Sequence, residues 1–167
     1  MTAATTLEIG VEVACDDPGI PDESKLRHWI AAAVDGAGCN YERLELAVRV
    51  ANSAEMQSLN AEYRGSNRPT NVLSFPAGVV EGLPAGECNA LGDIVVCASV
   101  VAAEARAQGK ALDDHWAHML VHGTLHLLGF DHENDVEADK MEALETGILG
   151  QLGIANPYLQ PAIETHE

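Results

Sequence analysis

The chain has 167 residues, of which 26 are acidic and 9 are lysine or arginine, so its formal net charge is −17 at pH 7. Such a charge repels polyanions and argues against tight, nonspecific binding of nucleic acid. The length suits a single domain over residues 1–167, and no apolar stretch approaches the roughly 20 residues that cross a bilayer. The N-terminus lacks the basic start and apolar run of a signal peptide, so we expect a cytoplasmic protein without a membrane partner.

Apolar periodicity divides the chain into nine predicted elements in the order β-α-β-α-β-β-α-α-α. This order predicts an α+β domain in which a four-stranded mixed sheet packs with about five helices. The last strand is continuously apolar, which is typical of a strand buried on both faces. Strands are predicted at 6–14, 44–50, 72–75 and 91–97, and helices follow Asp22, Ser53, Ser99, Asp113 or Asp114, and residue 135.

Two further features of the sequence, the cysteines and an acidic segment, indicate no functional site. The four cysteines (Cys15, Cys39, Cys88 and Cys97) include no C-x-x-C pair, so in a reducing compartment we expect free thiols. Residues 131–145 carry seven acidic side chains against one lysine, which predicts a solvated helix face.

Three histidines in the run HGTLHLLGFDH at 122–132 form the most informative pattern. His122 and His126 are four residues apart on a predicted helix, so both project from the same face and can reach one ion. Gly129 allows the chain to reverse, because glycine adopts positive φ without a Cβ penalty, and His132 can then return to that ion. Three protein ligands leave a fourth position for water, which predicts a catalytic zinc site that carries out hydrolysis.

The remaining histidines are interpreted more simply. His118 lies four residues before His122 on the same helix face, so it is either a packed side chain, which we favour, or a group that supports or replaces a ligand. His28, His115 and His166 have no comparable spacing, and we assign them no role.

The H-x3-H-x2-G-x2-H spacing is that of the metzincin zinc proteases, with one departure. Those enzymes require a glutamate directly after the first histidine as the general base, and Gly123 occupies that position here. Without that carboxylate, peptide cleavage lacks its proton acceptor, so we give a metalloprotease the lowest rank among the functions considered.

The same run resembles the signature of the YbeY family of bacterial endoribonucleases and rRNA maturation factors. Two further segments match that family in order and spacing: NAEYRGSNRPTNVLSFP at 60–76 and LGDIV at 91–95. The resemblance extends over nearly the whole chain. It implies a zinc-dependent, single-strand-specific endoribonuclease that acts on the 16S rRNA precursor during 3′-end maturation and in ribosome quality control.

Carried over residue by residue, the resemblance implies that His122, His126 and His132 bind one zinc ion and that Arg64 lies near it. An arginine suits a phosphodiester, because its planar fork pairs with two phosphate oxygens and stabilises charge in the transition state. Three imidazoles also suit nickel, copper or iron, so the sequence does not identify the metal. No general base is identified.

Four more residues are weaker candidates for the surroundings of the metal or for binding substrate. Arg68 either contacts substrate or only fixes its loop. Asn71 replaces the aspartate of many family members and keeps a hydrogen-bond acceptor without the charge. Asp93 and Asp131 are candidates for orienting a ligand imidazole, although a turn role suits Asp131 equally well.

A noncatalytic role is the main alternative. In it, the metal only stabilises a surface that binds ribosomal proteins or ribosome-associated GTPases. The acidic composition favours this reading, since basic ribosomal proteins are its natural electrostatic partners.

Overall fold

Nine elements follow one another in the predicted order within the residues that the computed structural model describes, which are 6–38, 43–76, 88–130 and 134–157. The expected α+β class, with a four-stranded mixed sheet and five helices over these residues, is confirmed. The strands are β1 (Thr6–Val13), β2 (Arg43–Ala51), β3 (Val72–Pro76) and β4 (Cys88–Cys97), and the helices are α1 (Glu23–Gly36), α2 (Ser53–Arg64), α3 (Ala98–Gln108), α4 (Leu112–Leu127) and α5 (Asp135–Gln151).

The sheet has the strand order β1-β2-β4-β3. β1 and β4 both pair with β2 in parallel, whereas the edge strand β3 pairs antiparallel with β4. In that last pair Phe75 lies opposite Asp93, and Val72 lies opposite Val96. This register places the end of the 60–76 motif beside the 91–95 motif.

Residues 94–97 of β4 are buried on both faces, as the apolar run predicts, whereas Asp93 is exposed. Ile94 and Val96 belong to the main core, which α1, α4 and α5 complete on one face of the sheet. Val95 belongs to a smaller apolar cluster on the other face, where Met56 of α2 covers it. The two faces therefore have different neighbours, and α2 and α4 lie on opposite sides of the sheet.

Helix starts agree with prediction at one position and differ at others. The Asp22 side chain accepts a hydrogen bond from the Lys25 backbone N–H at 3.0 Å, so the predicted N-cap of α1 is confirmed. The prediction of Ser53 as the cap of α2 is wrong by one residue, because Asn52 accepts from the Glu55 N–H instead. Adjacent polar residues such as these can each cap a helix, and composition does not choose between them.

Two other predicted helix starts are also corrected. α3 begins after Cys97 rather than at Ser99, because the chain passes directly from β4 into the helix. α4 begins after Ala111, and the acidic pair at 113 and 114 lies within its first turn, where negative charge is favourable next to the helix N-terminus.

The described residues bear on the cysteines and on the helices in different ways. Cys15 and Cys97 are free thiols, whereas the side chains of Cys39 and Cys88 lie outside the described residues, so their state remains a prediction. Of the helices described, none combines the length and apolar character needed to span a membrane.

Candidate metal centre and substrate groove

Helix α4 lies unusually close to the sheet at Gly123. The Ser74 hydroxyl of β3 donates a hydrogen bond to the Gly123 carbonyl at 2.9 Å. A Cβ added at Gly123 would stand 3.1 Å from Ile94 Cγ2 and 3.3 Å from Val72 Cγ2, tighter than ordinary van der Waals contact. The position that carries the metzincin glutamate therefore faces the core here.

The two histidines that flank this contact converge. Nε2 of His122 lies 3.2 Å from Nε2 of His126. Two nitrogens that each bind a tetrahedral zinc ion at roughly 2.0–2.1 Å stand about 3.3 Å apart. The observed separation thus matches the one that a shared ion requires, and the predicted same-face arrangement of the two imidazoles is present.

A tight turn ends the helix as the sequence predicts. Gly129 has φ of 103°, in the region that favours glycine, and the Phe130 N–H donates to the Leu125 carbonyl at 3.0 Å. The chain therefore leaves the helix axis directly after His126. His132 and Asp131 lie outside the described residues, so their predicted roles remain predictions.

A carboxylate that the sequence did not single out contacts the first histidine. Nδ1 of His122 lies 2.6 Å from Oε2 of Glu145, whose side chain on α5 is fully buried. A carboxylate at Nδ1 favours the tautomer that carries its proton there, so that Nε2, the atom that faces His126, can act as a metal ligand. The interpretation of residues 131–145 as a solvated face is thus wrong for Glu145.

His118 extends the same polar group. Its Nε2 lies 3.7 Å from Oε2 of Glu145, and one ligand atom from each of His118, His122 and Glu145 falls within 4.8 Å of the others, so this triad could hold a metal. However, the 2.6 Å between His122 and Glu145 is a hydrogen-bond distance, well below the roughly 3.3 Å between two ligand atoms of one zinc ion. The geometry therefore favours Glu145 as a support for His122.

A second chain of polar side chains begins at the half-buried Asn71. Its Nδ2 donates to the Glu104 carboxylate at 3.1 Å, and Glu104 Oε1 lies 2.9 Å from Nε2 of His115. His115 is only 3% exposed, and its burial lowers its pKa from the usual value, with the neighbouring Glu104 opposing that shift. The spacing of His115 in the sequence indicated no role for it. In the structure His115 connects α4 to α3 and, through Glu104 and Asn71, to the start of β3.

One large groove collects most of the predicted site residues. Its volume is about 1550 Å³, above the roughly 300–1,000 Å³ of a typical small-molecule pocket, so it has room for a segment of a polymer. It is lined by side chains from β1, β2, α2, β3, β4 and α4, and those predicted from the sequence are Arg64, Asn71, Asp93, His122 and His126.

Arg68 is placed differently from Arg64. Its backbone carbonyl accepts a hydrogen bond from Nδ2 of the buried Asn60 at 2.8 Å, which fixes the loop after α2. Arg68 does not line the groove. This contact involves only the backbone of Arg68, so both readings of its side chain remain predictions.

The two arginines of the groove have different electrostatic surroundings. Arg49 forms ion pairs with Glu12 at 2.5 Å and Glu55 at 2.6 Å, and these carboxylates raise its pKa above the usual value. Its charge is thereby balanced within the protein. Arg64 is exposed at the end of α2, directly before Gly65, and is involved in none of the ion pairs found among the described residues.

Comparison with known proteins identifies the family. The family model described as endoribonuclease YbeY matches residues 15–153. Proteins named endoribonuclease YbeY from Stenotrophomonas maltophilia (strain R551-3) and Xanthomonas campestris pv. campestris (strain B100) are each 53% identical over 153 residues, which is 91% of this chain and 93% of theirs.

A solved structure has the same fold. The solution structure of the Thermotoga maritima protein TM1509 aligns with a TM-score of 0.55 and 22% sequence identity, over 93% of this chain and 100% of that one. At that identity the likeness concerns the fold alone. The match to the family model and the relatives at 53% identity together show that this chain belongs to the endoribonuclease YbeY family.

Proposed function

We propose that this protein is a zinc-dependent endoribonuclease that cleaves single-stranded RNA by metal-assisted phosphodiester hydrolysis. The observation that carries the proposal is the 3.2 Å separation of the His122 and His126 Nε2 atoms in the groove that also contains Arg64. Membership of an endoribonuclease family supports the reaction class. The ligand set is His122, His126 and His132, as the motif predicts.

The protein's own groups have distinct tasks in this proposal. His122 and His126 present Nε2 atoms to the ion, and Glu145 holds the His122 ring in the required tautomer and orientation. When bound, a zinc ion lowers the pKa of its water and polarises a phosphoryl oxygen. Arg64 pairs with phosphate oxygens and stabilises the charge that develops on them.

Asp93 and Asn71 have different roles in this proposal. Asp93 is exposed and lines the groove, so it can accept a hydrogen bond from a ribose or a bound water. The Asn71 amide is already bonded to Glu104 and to the Val72 N–H, which favours a positioning role for it. No residue is assigned as the general base.

The biological substrate in this proposal is the 16S rRNA precursor, cleaved during 3′-end maturation and ribosome quality control in the cytoplasm. A groove that exceeds a small-molecule pocket suits a polymer, and Arg64 supplies a local cation despite the net charge of −17. Recognition then depends on a local site rather than on a basic surface.

The test compares bound zinc and cleavage of a single-stranded oligoribonucleotide for the wild type and three variants. We expect His122→Ala to lose both metal and cleavage. Arg64→Ala should keep its metal and lose about 100-fold in kcat, the loss typical of removing one group that stabilises transition-state charge. Arg106→Ala, another exposed arginine in the last turn of a helix, should change neither quantity.

Three results would contradict the proposal or one of its parts. Freshly purified wild type without bound metal would remove the mechanism, and equal cleavage by wild type and Arg64→Ala would remove the role of Arg64. If the zinc-loaded wild type cleaves no RNA but binds ribosomal proteins, the noncatalytic assembly factor becomes the better account. That second candidate is favoured by the acidic composition, which complements basic ribosomal proteins or their GTPase partners.

A metalloprotease gains no support from the structure. Gly123 packs against Ile94 and Val72, so that position supplies no carboxylate to a water bound between His122 and His126. Loss of a peptide-cleaving activity in His122→Ala would be the observation needed to revive it.

A further inference from the structure

The groove contains an exposed aromatic side chain that the proposed chemistry does not use. Tyr63 of α2 is 61% exposed, although it lies seven residues after the fully buried Met56 and thus on the same helix face. Periodicity alone assigns Tyr63 to the core. Instead, the Tyr63 ring lies outside the smaller apolar cluster and lines the groove.

Tyr63 rests on a second aromatic ring. The ring centroids of Tyr63 and Phe75 are 5.0 Å apart and the rings are inclined by 69°, an edge-to-face contact. Phe75 is half-buried on β3 and is anchored beneath by that smaller cluster. The contact orients the tyrosine ring while leaving most of its surface exposed to the groove.

The neighbours of this ring pair favour a nucleotide as its occupant. Arg64 follows Tyr63 in the chain and lines the same groove, so this groove contains both an aromatic surface and a cation without an ion-pair partner among the described residues. The same groove contains the His122 and His126 pair. Single-stranded RNA is bound in this way elsewhere, with bases stacked on aromatic rings and phosphates paired with arginine.

We propose that Tyr63, supported by Phe75, stacks on an unpaired base of the RNA strand whose phosphate is held by Arg64. This inference rests on the proposed function and adds a base-binding subsite to it. Stacking of this kind tolerates any base but requires that the base be unpaired. The subsite therefore supplies a physical reason for a preference for single-stranded over double-stranded RNA.

The experiment uses zinc-loaded protein and oligoribonucleotides that carry 2-aminopurine, whose fluorescence is quenched on stacking, and it records binding by stopped flow before the strand is cleaved. We expect Tyr63→Ala to weaken binding roughly 5- to 150-fold, the effect of removing one base–aromatic stack. Tyr63→Phe should retain both the quenching and the affinity. Val136→Ala removes a side chain of similar exposure (66%) that does not line the groove, and it should bind as wild type does.

An oligonucleotide series with a single abasic site at each position in turn makes the test specific. For the wild type, one abasic position should weaken binding, and at that position Tyr63→Ala should show no further loss. Equal binding by wild type and Tyr63→Ala, or additive losses at every position, would overturn the proposal. The proposal would also be overturned if Tyr63→Ala lost affinity for a basic ribosomal peptide but kept its affinity for RNA.

Failure of this inference can be distinguished from failure of the proposed function. Cleavage of RNA by the wild type with no dependence on Tyr63 would remove the stacking subsite and leave the endonuclease. Quenching that depends on Tyr63, without cleavage by the zinc-loaded wild type, would remove the endonuclease and leave the subsite. Thermal unfolding of Tyr63→Ala should differ only slightly from that of wild type, since the side chain is largely exposed and gives up its edge-to-face contact with Phe75.

Discussion

The buried carboxylate of Glu145 lies 2.6 Å from Nδ1 of His122, although the two residues are 23 positions apart in the chain. The contact joins α5 to the histidine-bearing helix α4. It determines which nitrogen of His122 faces the groove, and so it ties the geometry of the candidate metal centre to the packing of the C-terminal helix.

We predict that Glu145→Gln weakens zinc binding by about 10- to 100-fold, the usual cost of losing a carboxylate that orients a metal-bound imidazole. The amide nearly preserves the shape of the side chain but holds the imidazole tautomer less strongly. Competition with a chromophoric zinc chelator measures the change. Glu142→Gln makes the same charge change at an exposed position of α5 and should leave the affinity unaltered.

A second pair of variants separates the two ways in which the histidines can hold an ion. If His122 and His126 share it, His126→Gln loses zinc, whereas His118→Gln keeps most of its affinity. The reverse pattern would show that His118, His122 and Glu145 form the metal site and would refute the orienting role of Glu145.

We predict that Gly123→Glu lowers the free energy of unfolding by about 3 kcal/mol or more, because it forces a carboxylate into the apolar contact with Ile94 and Val72. Chemical denaturation measures the loss. Gly147→Ala is the matched control on α5: an added Cβ there meets nothing within 4 Å, so its effect should be a gain of up to about 1 kcal/mol from helix propensity. A Gly123→Glu protein as stable as the wild type would contradict the close packing.

We predict that Asn71→Asp destabilises the fold by about 1–2 kcal/mol at neutral pH, because it replaces an amide donor with a carboxylate that faces Glu104. Adding Glu104→Gln to that variant restores a donor–acceptor pair with the roles exchanged. The double variant should therefore recover part of the loss, and a double-mutant cycle of unfolding free energies measures the coupling. Strictly additive effects would mean that the two side chains do not interact.

A fifth prediction concerns acid stability. Burial lowers the pKa of His115 below its ordinary value of 6.5, so the unfolded chain takes up a proton more readily than the folded protein. Stability from this group is therefore complete above the unfolded pKa and is lost as the pH falls below about 6.5. His115→Gln should flatten this acid-side slope by at most about 1.4 kcal/mol per pH unit, and parallel profiles of unfolding free energy against pH would refute the prediction.

Local signals in the sequence predicted much of the fold. Alternation over β2 and the apolar run of β4 identified strands whose burial is confirmed, and Asp22 marked the start of α1 correctly. Such signals act over a few residues, so they specify elements but not their neighbours. The insertion of β4 between β2 and β3 is a consequence of long-range packing, and no short pattern encodes it.

The sequence likewise predicted only part of the candidate site. His122 and His126 are one helical turn apart, so their convergence follows from helix geometry. Glu145 lies on another helix, in a segment with many acidic residues. It differs from the others in being fully buried, and the acidic composition of the segment does not reveal this. The helical period would have shown that Glu145 shares a face with Met141, Ile148 and Leu149, all of them buried, and that signal could have found it.

The contact at Gly123 links the hydrophobic core to the chemistry of the site. At Gly123 only the helix backbone lies against the sheet, so the size of the Ile94 and Val72 side chains sets the distance between the sheet and the helix that carries both imidazoles. Core substitutions that enlarge these residues would displace both histidines together and preserve their mutual spacing. Such changes would also move His122 relative to Glu145 of α5, so the orientation of that imidazole and its distance from Arg64 both depend on the volume of the core side chains beneath Gly123.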